Sequence, residues 1–292
     1  MRVLFFFIAS FSFLSLFSSH PYPLVGFCWA SQPFTDMTLF EEGFRTARLL
    51  GCQIEHRQYN WNEIELDRNT YDWNSINQWY TACLKYDITP SLALCPVNSN
   101  TQIRNVPRDL RGRDFDDPEI ISRLKQFTRK LLEKFPEIKY MSFGNEINYY
   151  LWSHPEDTPP YLNLCVQMYE YMKENYPEIP VLVIFGFTEM GERDRELVSQ
   201  FLPACDLVGI STYHACIAVE SLTPPQLTEQ EMYEGFLDCI NLCGGKRFAV
   251  VETCAFSYPD PDYQVRYVKV FFDVIEEYRK DMEFACWFGV YD

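Results

Sequence analysis

The 292-residue chain is short of the features that mark several functional classes. It has only four histidines, and no pair of them has the spacing of metal ligands, so we expect no metal site. It contains no Cys-x-x-Cys pair, which argues against structural zinc. The turn after the first apolar run reads Trp29-Ala30-Ser31-Gln32 and is not a glycine-rich phosphate turn. The sequence therefore predicts neither a metal nor an organic cofactor.

Positive charge is also scarce. The chain has 25 lysines and arginines against 41 aspartates and glutamates, for a net charge of −16. Phosphate backbones repel such a protein, so we expect no nucleic-acid partner. No basic cluster suggests binding to an anionic membrane surface, whereas a neutral or cationic substrate is compatible with this charge. The sequence does not indicate an oligomeric state.

The N-terminus carries the one long apolar stretch. Residues 1–19 begin with Met1-Arg2, continue as an apolar run broken only by serine, and end before His20. An apolar run of about 15 residues is short for a membrane span and is typical of a signal peptide. We therefore predict a signal peptide over residues 1–19, one folded domain over residues 20–292, and a secreted or periplasmic location. A retained N-terminal anchor is the alternative.

The cysteine count is odd, at 11. In an exported protein, at least one thiol would then be free or intermolecular. Many of the cysteines lie inside apolar runs, where they act as small buried hydrophobes. One or two disulfides are compatible with the sequence, which does not define their pairing.

Eight β-like runs alternate with seven helical patterns along the chain. The runs span residues 24–29, 53–57, 90–95, 141–143, 181–187, 207–212, 248–251 and 284–288. Several are apolar throughout, as expected of parallel strands covered on both faces. The alternation predicts an α/β fold, a (β/α)8 TIM barrel in one domain. Because only four residues follow the last run, we expect the barrel to lack its last helix. Either the last strand then lies near an unprotected edge, or the chain is a truncated form of a longer protein, and the sequence does not distinguish these.

Polar and aromatic side chains stand where these runs end, and active groups of such barrels collect there. The predicted strand ends carry Arg57, Asn145, Glu146, Tyr213, His214, Glu252 and Trp287. Paired carboxylates at one end of a barrel suit glycoside hydrolysis. One carboxyl group protonates the departing oxygen, and the other attacks the anomeric carbon as an ionised carboxylate.

The other groups have the chemistry to assist this pair. We expect Arg57 to lie near Glu252 and keep it charged. Tyr213 could donate a hydrogen bond to the same carboxylate, and Asn145 could hold a ring hydroxyl. Trp287 could stack against the apolar face of a sugar ring.

The sequence also resembles a known superfamily. Gly144-Asn145-Glu146 and Val251-Glu252-Thr253 are similar to the two signatures of the clan A glycoside hydrolases. The resemblance extends in order over residues 24–288 and includes segments 61–73, 106–110, 115–118 and 209–213. It implies a retaining (β/α)8-barrel glycosidase with Glu146 as acid/base and Glu252 as nucleophile. It also implies that Asn145 binds the hydroxyl next to the anomeric carbon, that Arg57 and Tyr213 tune the nucleophile, and that Trp287 is the sugar platform.

One segment departs from that pattern. Many members carry a histidine or another polar residue at the end of the third strand, where this chain has Cys95-Pro96-Val97-Asn98. The departure leaves open a catalytically weak or inactive carbohydrate-binding protein on the same barrel. A metal-dependent hydrolase is a further alternative, but it would need histidine-rich strand ends. The sugar, its linkage and endo or exo action are not indicated.

Several residues have both a functional and a structural interpretation. Trp29, Tyr149 and His214 are further candidates for substrate binding, and Glu189 is a candidate subsite residue. Glu146 alone could be an ordinary residue at a helix N-terminus, favoured there by the helix dipole. Tyr149 could equally pack its loop, and Arg57 alone could be a structural ion-pair partner.

Overall fold

The computed structural model describes residues 22–28, 37–99, 102–187, 192–215, 226–255 and 260–289. Ten strands are found in these residues. They are β1 (Leu24–Cys28), β2 (Ile54–Asn60), β3 (Glu65–Asp67), β4 (Thr70–Tyr71), β5 (Thr89–Cys95), β6 (Tyr140–Ser142), β7 (Val181–Gly186), β8 (Leu207–Thr212), β9 (Phe248–Thr253) and β10 (Met282–Phe288). Eight of them form a closed parallel barrel in the order β1-β10-β9-β8-β7-β6-β5-β2, while β3 and β4 form a separate antiparallel hairpin.

Helices connect the barrel strands. In the described residues they are α1 (Met37–Leu49), α2 (Trp61–Ile64), α3 (Asn74–Lys85), α4 (Pro118–Lys134), α5 (Ile147–Ser153), α6 (Thr158–Asn175), α7 (Glu192–Phe201), α8 (Glu229–Leu242) and α9 (Pro261–Glu277). Three short 3-10 turns accompany them, at Arg108–Leu110, Pro155–Asp157 and Leu202–Ala204. The predicted (β/α)8 TIM barrel is confirmed, and each of the eight predicted runs overlaps a barrel strand.

Two short helices were not predicted from the sequence. The segment after β2 contains α2, in which Trp61 and Ile64 are fully buried, and then the β3–β4 hairpin. The segment after Glu146 forms α5. Both helices are too short to show a helical period, and burial of their apolar side chains holds them.

Side chains of each barrel strand alternate between two apolar layers. One set lines the barrel interior: Cys28, Ile54, Ala93, Cys95, Tyr140, Leu182, Ile184, Leu207, Ala249, Val251, Phe284 and Cys286. The opposite set, for example Leu92, Val183 and Val250, packs in one larger cluster with the helices. Which layer a residue enters is decided by its parity along the strand, and this rule determines which polar residues can reach the site.

The helices show ordinary start signals and apolar stripes. In α4, Pro118 occupies the first turn and the Asp117 carboxylate accepts a hydrogen bond from the backbone N–H of Glu119 at 2.8 Å. The stripe of α4 buries Phe127 and Leu131 against the barrel layer. Full burial of each such side chain contributes about 2 kcal/mol to folding.

No described helix is both long and apolar enough to cross a membrane. The ten cysteines of the described segments are all buried and none forms a disulfide there. The signal peptide predicted over residues 1–19 lies outside the described residues, and the exported location stays a prediction.

Candidate active site

Glu146 and Glu252 lie at the same end of the barrel, the end at which the strands finish, here called the mouth. Glu146 follows β6, and Glu252 is the fifth residue of β9. Ser211 of β8 joins them: its hydroxyl donates to Glu146 Oε1 at 2.6 Å, and its strand partner in the sheet register is Glu252. The sequence prediction that two carboxylates converge on one mouth is therefore realised in the structure.

An irregularity in β9 aims Glu252 into the mouth. Ile210 pairs with Val250, but the next residue of β8, Ser211, pairs with Glu252, so β9 contains one extra residue. Strict alternation from Val251, which lines the barrel interior, would have sent Glu252 toward the helices. A bulge of this kind re-aims a side chain, and bulges are frequent next to active sites.

Glu146 has an unusual backbone conformation. Its φ of 47° and ψ of 49° are in the left-handed region, which residues with a side chain rarely adopt. It precedes α5 but its carboxylate makes no capping hydrogen bond. The carboxylate instead accepts hydrogen bonds from the hydroxyls of Ser99 and Ser211. The conformation thus serves the placement of a carboxylate at the mouth, which removes the interpretation of Glu146 as an ordinary helix-terminal residue.

Glu252 is almost fully buried and is held by neutral donors. The Tyr213 hydroxyl donates to Glu252 Oε2 at 2.6 Å, as the sequence predicted, and Gln58 Nε2 donates to Oε1. The Cys28 thiol, on the interior face of β1, also interacts with this carboxylate. Burial, and then the Glu252 charge, raise the pKa of Tyr213 well above its usual range, so Tyr213 stays a hydrogen-bond donor.

Both carboxyl groups hold their protons more tightly than an exposed glutamate does. Burial, followed by the charge of Glu146, raises the pKa of Glu252 to about 8 from an ordinary value of 4.5, against the opposing hydrogen bonds of Tyr213, Cys28 and Gln58. Burial raises the pKa of Glu146 as well, and the bonds from Ser211 and Ser99 oppose the shift. Burial therefore favours the protonated form of each group, and the two ionisations are coupled because the charge of one acid raises the pKa of the other.

Asn145 and Tyr149 also lie at the mouth. Asn145 is buried beside Glu146, and its Oδ1 has no hydrogen-bond partner within the described protein. Such a buried acceptor is suited to a ligand hydroxyl. Tyr149 is half-buried, with its ring against Gly186 at the end of β7 and edge-on to Trp152 at 5.1 Å. Their roles in substrate binding stay predictions.

The structure corrects the prediction for Arg57. Strand β2 does not end at this residue but continues to Asn60, and the parity of β2 turns Arg57 toward the helices. Its guanidinium forms a buried ion pair with Glu55, at 2.6 Å between Nη2 and Oε1, and lies over the ring of Phe40. Gln58, the next residue, enters the mouth and contacts Glu252 instead.

Strand parity also corrects the prediction for Trp287. Phe284 and Cys286 line the barrel interior, so Trp287 faces the helix layer, where its ring centroid is 6.0 Å from those of Tyr267 and Phe271 in α9. Phe288 takes the position at the mouth. Its side chain is 38% exposed, and its ring is edge-on to Tyr213 at 5.7 Å. The candidate sugar platform is therefore Phe288.

His214 is not at the mouth either. Its Nδ1 is 2.9 Å from Thr212 Oγ1 and its Nε2 is 2.9 Å from the Met232 carbonyl oxygen, so both ring nitrogens are engaged. Its ring packs edge-on against Phe236 of α8. This corrects the prediction that His214 binds substrate. Trp29 and Glu189 lie outside the described residues.

Sequence reasoning missed four polar residues of the site. Ser211 had a usable signal, since it is a polar residue at an interior parity of a mostly apolar strand. Strand β2 is polar at most of its positions, so its sequence did not single out Gln58. Ser99 and Asn98 had no signal, because they lie in the loop after β5, whose path depends on tertiary packing. Asn98 forms a parallel bridge with Asn145 and is 4% exposed. It is a buried polar side chain in the segment after Cys95.

No group of three or more metal-ligating side chains is found where the structure is described. The described residues bonded to the two acids are serine, tyrosine and glutamine side chains, with the Cys28 thiol beside Glu252. This set supports proton transfer and hydrogen bonding to a polar ligand.

Solved structures share this barrel. An exo-β-1,4-mannosidase from Opitutaceae bacterium strain TAV5 superposes with a TM-score of 0.67 at 14% identity, over 91% of this chain and 51% of the mannosidase. The chain has the fold of known β-glycosidases. A β-glycosidase from Pyrococcus horikoshii (TM-score 0.60, 13% identity) is covered over 86% of this chain and 74% of its own. A hyperthermophilic β-glucosidase from Pyrococcus furiosus (TM-score 0.59, 13% identity) is covered over 85% and 74%.

This chain spans about half the length of the mannosidase. No protein-family model matches the sequence, and no curated protein matches it. At identities of 13–14% the likeness to these β-glycosidases concerns the fold.

The position of Arg57 in the helix layer predicts the effects of its substitution. Arg57→Met would leave Glu55 buried without its cation, so we expect the free energy of unfolding to fall by about 3–5 kcal/mol. Because Arg57 faces the helices, any activity that remains should keep the pH profile of the unmodified protein. Chemical unfolding and a pH–rate profile measure the two effects. A shifted profile with unchanged stability would return Arg57 to the role first predicted for it.

Proposed function

We propose that the protein is a retaining glycoside hydrolase that cleaves a β-linked glycoside or polysaccharide by double displacement. The observation that carries this proposal is the pair of carboxylates around Ser211. Glu146 accepts a hydrogen bond from Ser211, and Ser211 pairs with Glu252 in the sheet. A local irregularity of the backbone directs each acid into the mouth. The fold shared with β-glycosidases supports the same reaction.

In the first step, Glu252 attacks the anomeric carbon as the bond to the leaving oxygen breaks, and Glu146 gives its proton to that oxygen. The product is a glycosyl ester on Glu252. In the second step, Glu146 takes a proton from water, the water oxygen attacks the same carbon, and Glu252 leaves as a carboxylate. Two displacements at one carbon retain its configuration. Retention predicts a separation of about 5–5.5 Å between the two carboxyl groups.

Burial favours the protonated form of Glu252, whereas attack requires Glu252 ionised and Glu146 protonated. The productive form of the pair is the one in which the proton is on Glu146. A bound sugar favours that form if its hydroxyls donate to ionised Glu252.

The substrate class follows from the neutral donors of the site. Hydroxyl, amide and phenol groups hold the two acids in the described part of the mouth, and a carboxylated sugar would meet two carboxyl groups there. We therefore infer a neutral sugar. Phe288 and Tyr213 would present an aromatic surface to its ring, and Asn145 Oδ1 would accept from a hydroxyl.

The pH dependence of the reaction is a test. We expect kcat/KM for an unactivated β-glycoside to follow a bell-shaped profile. Its acid limb lies above pH 4.5, because burial raises the pKa of Glu146, and its alkaline limb lies near pH 8, where the pair loses its last proton. Rates measured from about pH 4 to about pH 10 define both limbs.

A substrate with a strongly acidic leaving group is the matched control for this profile. Departure of such a group needs no proton, so the alkaline limb should disappear while the acid limb remains. An alkaline limb that persists with both substrates would show that it reports something other than the proton on this pair.

The direct experiment is a screen against β-glucans, mannans, xylans, galactans and aryl β-glycosides, with Glu146→Ala and Glu252→Ala as controls. Turnover by the unmodified protein that is lost in both variants supports hydrolysis. The protonated resting state of Glu252 favours one other function, that of a carbohydrate-binding protein, because a protonated carboxyl group can donate to a sugar hydroxyl. Sugar binding by calorimetry without turnover of any substrate would select that alternative.

A further inference from the structure

A chain of amide side chains runs from the mouth toward α2, the short helix that follows β2. Gln58 donates to Glu252, and Gln58 Oε1 accepts from Asn98 Nδ2 at 3.5 Å. Asn98 Nδ2 also donates to Asn60 Oδ1 at 3.2 Å, and Asn60 Nδ2 donates to Glu63 Oε1 at 2.9 Å. We call Gln58, Asn98 and Asn60 the amide relay. A carboxylate stands at each of its ends.

The carboxylate of Glu63 fixes the direction of every amide in the relay. An ionised carboxylate accepts hydrogen bonds and cannot donate them. Glu63 therefore requires the NH2 group of Asn60, which leaves Asn60 Oδ1 to accept from Asn98. Asn98 in turn presents its NH2 group to Gln58 Oε1, so the NH2 group of Gln58 must point at Glu252. Asn105 Nδ2 also donates to Asn60 Oδ1 at 3.2 Å, which agrees with this orientation of the Asn60 amide.

We propose that Gln58 is the positioning residue of the nucleophile Glu252, and that Asn98 acts on Glu252 through Gln58. This inference rests on the proposed hydrolysis. Gln58 is 6% exposed and Asn98 is 4% exposed, so neither amide turns freely into solvent. A neutral amide thus occupies the place beside the nucleophile where the sequence had predicted the guanidinium of Arg57.

The ionisable groups around Glu252 are acids, a phenol and thiols in the described part of the site. They are Glu146 after β6, Tyr213 after β8, Cys28 on β1, Cys95 on β5 and Cys286 on β10. The guanidinium of Arg57 is on the opposite face of β2, in its ion pair with Glu55. With this set of neighbours, hydrogen bonds from neutral donors are what stabilise ionised Glu252, and Gln58 is one of those donors.

Gln58→Met keeps the length of the side chain and removes the donor. We expect kcat/KM to fall about 10- to 100-fold, the loss of one hydrogen bond to a charged group, with most of the change in kcat. The alkaline limb of the pH profile should move above pH 8, because ionised Glu252 has lost a donor. If Gln58→Met does not fold, Gln58→Asn withdraws the same donor by one methylene and retains a polar group.

The relay is tested by a double-mutant cycle. Asn98→Ala should change the rate and the alkaline limb in the same direction as Gln58→Met, but less. The double variant should then resemble Gln58→Met alone, because Asn98 acts through Gln58. Additive effects would overturn the relay. An unchanged pH profile in Gln58→Met, with kcat/KM within about threefold of the unmodified protein, would overturn the role of Gln58.

A titration that does not depend on turnover separates this inference from the proposed function. Carbon-13 NMR of protein labelled at glutamate carboxyls, with Glu252→Gln to assign the signal, reports the ionisation of Glu252. We expect a midpoint near pH 8 that moves higher in Gln58→Met and stays in place in Arg57→Lys, the matched neighbour on the other face. Activity that survives Glu252→Gln would reject the hydrolase, while a midpoint that does not move in Gln58→Met would reject only the role of Gln58.

Discussion

Glu252→Gln is expected to reduce kcat/KM for an aryl β-glycoside by about 10⁴-fold or more. The amide has nearly the same shape, but it cannot form the glycosyl ester and cannot carry the negative charge that develops opposite the leaving group. Tyr213 and Gln58 would still contact the side chain, so binding of substrate should change much less than turnover. Initial rates and an independent binding measurement separate the two effects.

The same substitution should make the protein more stable at neutral pH. The pKa of Glu252 is about 8 in the folded protein, against 4.5 for an ordinary glutamate. A raised pKa leaves stability intact below pH 4.5 and removes it progressively up to pH 8, because only the unfolded chain ionises in that interval. From pH 4.5 to pH 7, at about 1.4 kcal/mol per pH unit, the difference amounts to about 3 kcal/mol.

Melting temperatures of Glu252→Gln and the unmodified protein therefore should coincide below pH 4.5 and diverge as the pH rises to 8. Glu283→Gln is a suitable control, because Glu283 lies near the start of β10, at the opposite end of the barrel, and accepts from Tyr140. It should leave turnover intact. A melting temperature of Glu252→Gln below that of the unmodified protein at pH 7 would contradict the burial argument.

Glu146→Gln has the second-largest expected effect. Loss of the acid should lower kcat/KM by roughly 10²- to 10⁴-fold for substrates whose leaving group requires a proton. It should also lower the pKa of Glu252, since the charge of Glu146 is the second-largest cause of its elevation. The Ser211 and Ser99 hydroxyls would remain to hold the amide in place.

Leaving-group acidity is the control for this variant. With a strongly acidic leaving group, the first step needs no acid, and kcat/KM of Glu146→Gln should approach that of the unmodified protein. The second step still needs Glu146 to activate water, so kcat should remain low and the glycosyl ester should accumulate. An equal loss of kcat/KM with every leaving group would assign Glu146 to a structural role.

Much of the barrel could be predicted because its signals are local. Apolar runs such as residues 181–187 are long enough to identify strands, and helical stripes such as that of α4 identify the segments between them. The hairpin of β3 and β4 could not be predicted, since two- and three-residue strands carry no period. Its position depends on burial of Trp61 and Ile64 against other parts of the chain.

The two carboxylates were identified from the sequence. On two strands, however, the residue predicted to assist them was one position away from the residue that lies at the site. On β2, placing the strand end at Arg57 chose a residue of helix-facing parity, and Gln58 was overlooked. On β10, Trp287 was chosen over Phe288 although the predicted run ended at Phe288, as β10 does, and the parity of Trp287 faces the helices. A single step along a strand reverses the face on which a side chain lies, so an uncertain strand end is enough to exchange a core residue for a site residue.

Glu252 illustrates the opposite case. Alternation alone would have placed it among the helices, and the bulge opposite Ser211 brings it to the mouth. The sequence Val250-Val251-Glu252 contains no local signal of a bulge, because the bulge depends on how β8 and β9 pair. The chemistry of the residue type identified Glu252, while the geometry that makes it useful is set by tertiary structure.

The central claim is that Glu252 forms a covalent bond with the sugar. Its most direct test is peptide mass mapping after incubation with activated 2-deoxy-2-fluoro-β-glycosides, whose fluorine slows hydrolysis of a glycosyl ester. We expect one added sugar, on the peptide that contains Glu252, which is absent from Glu252→Gln and present in Arg57→Lys. Turnover of β-glycosides with the sugar attached to another residue, or with an inverted product and no attached sugar, would contradict it.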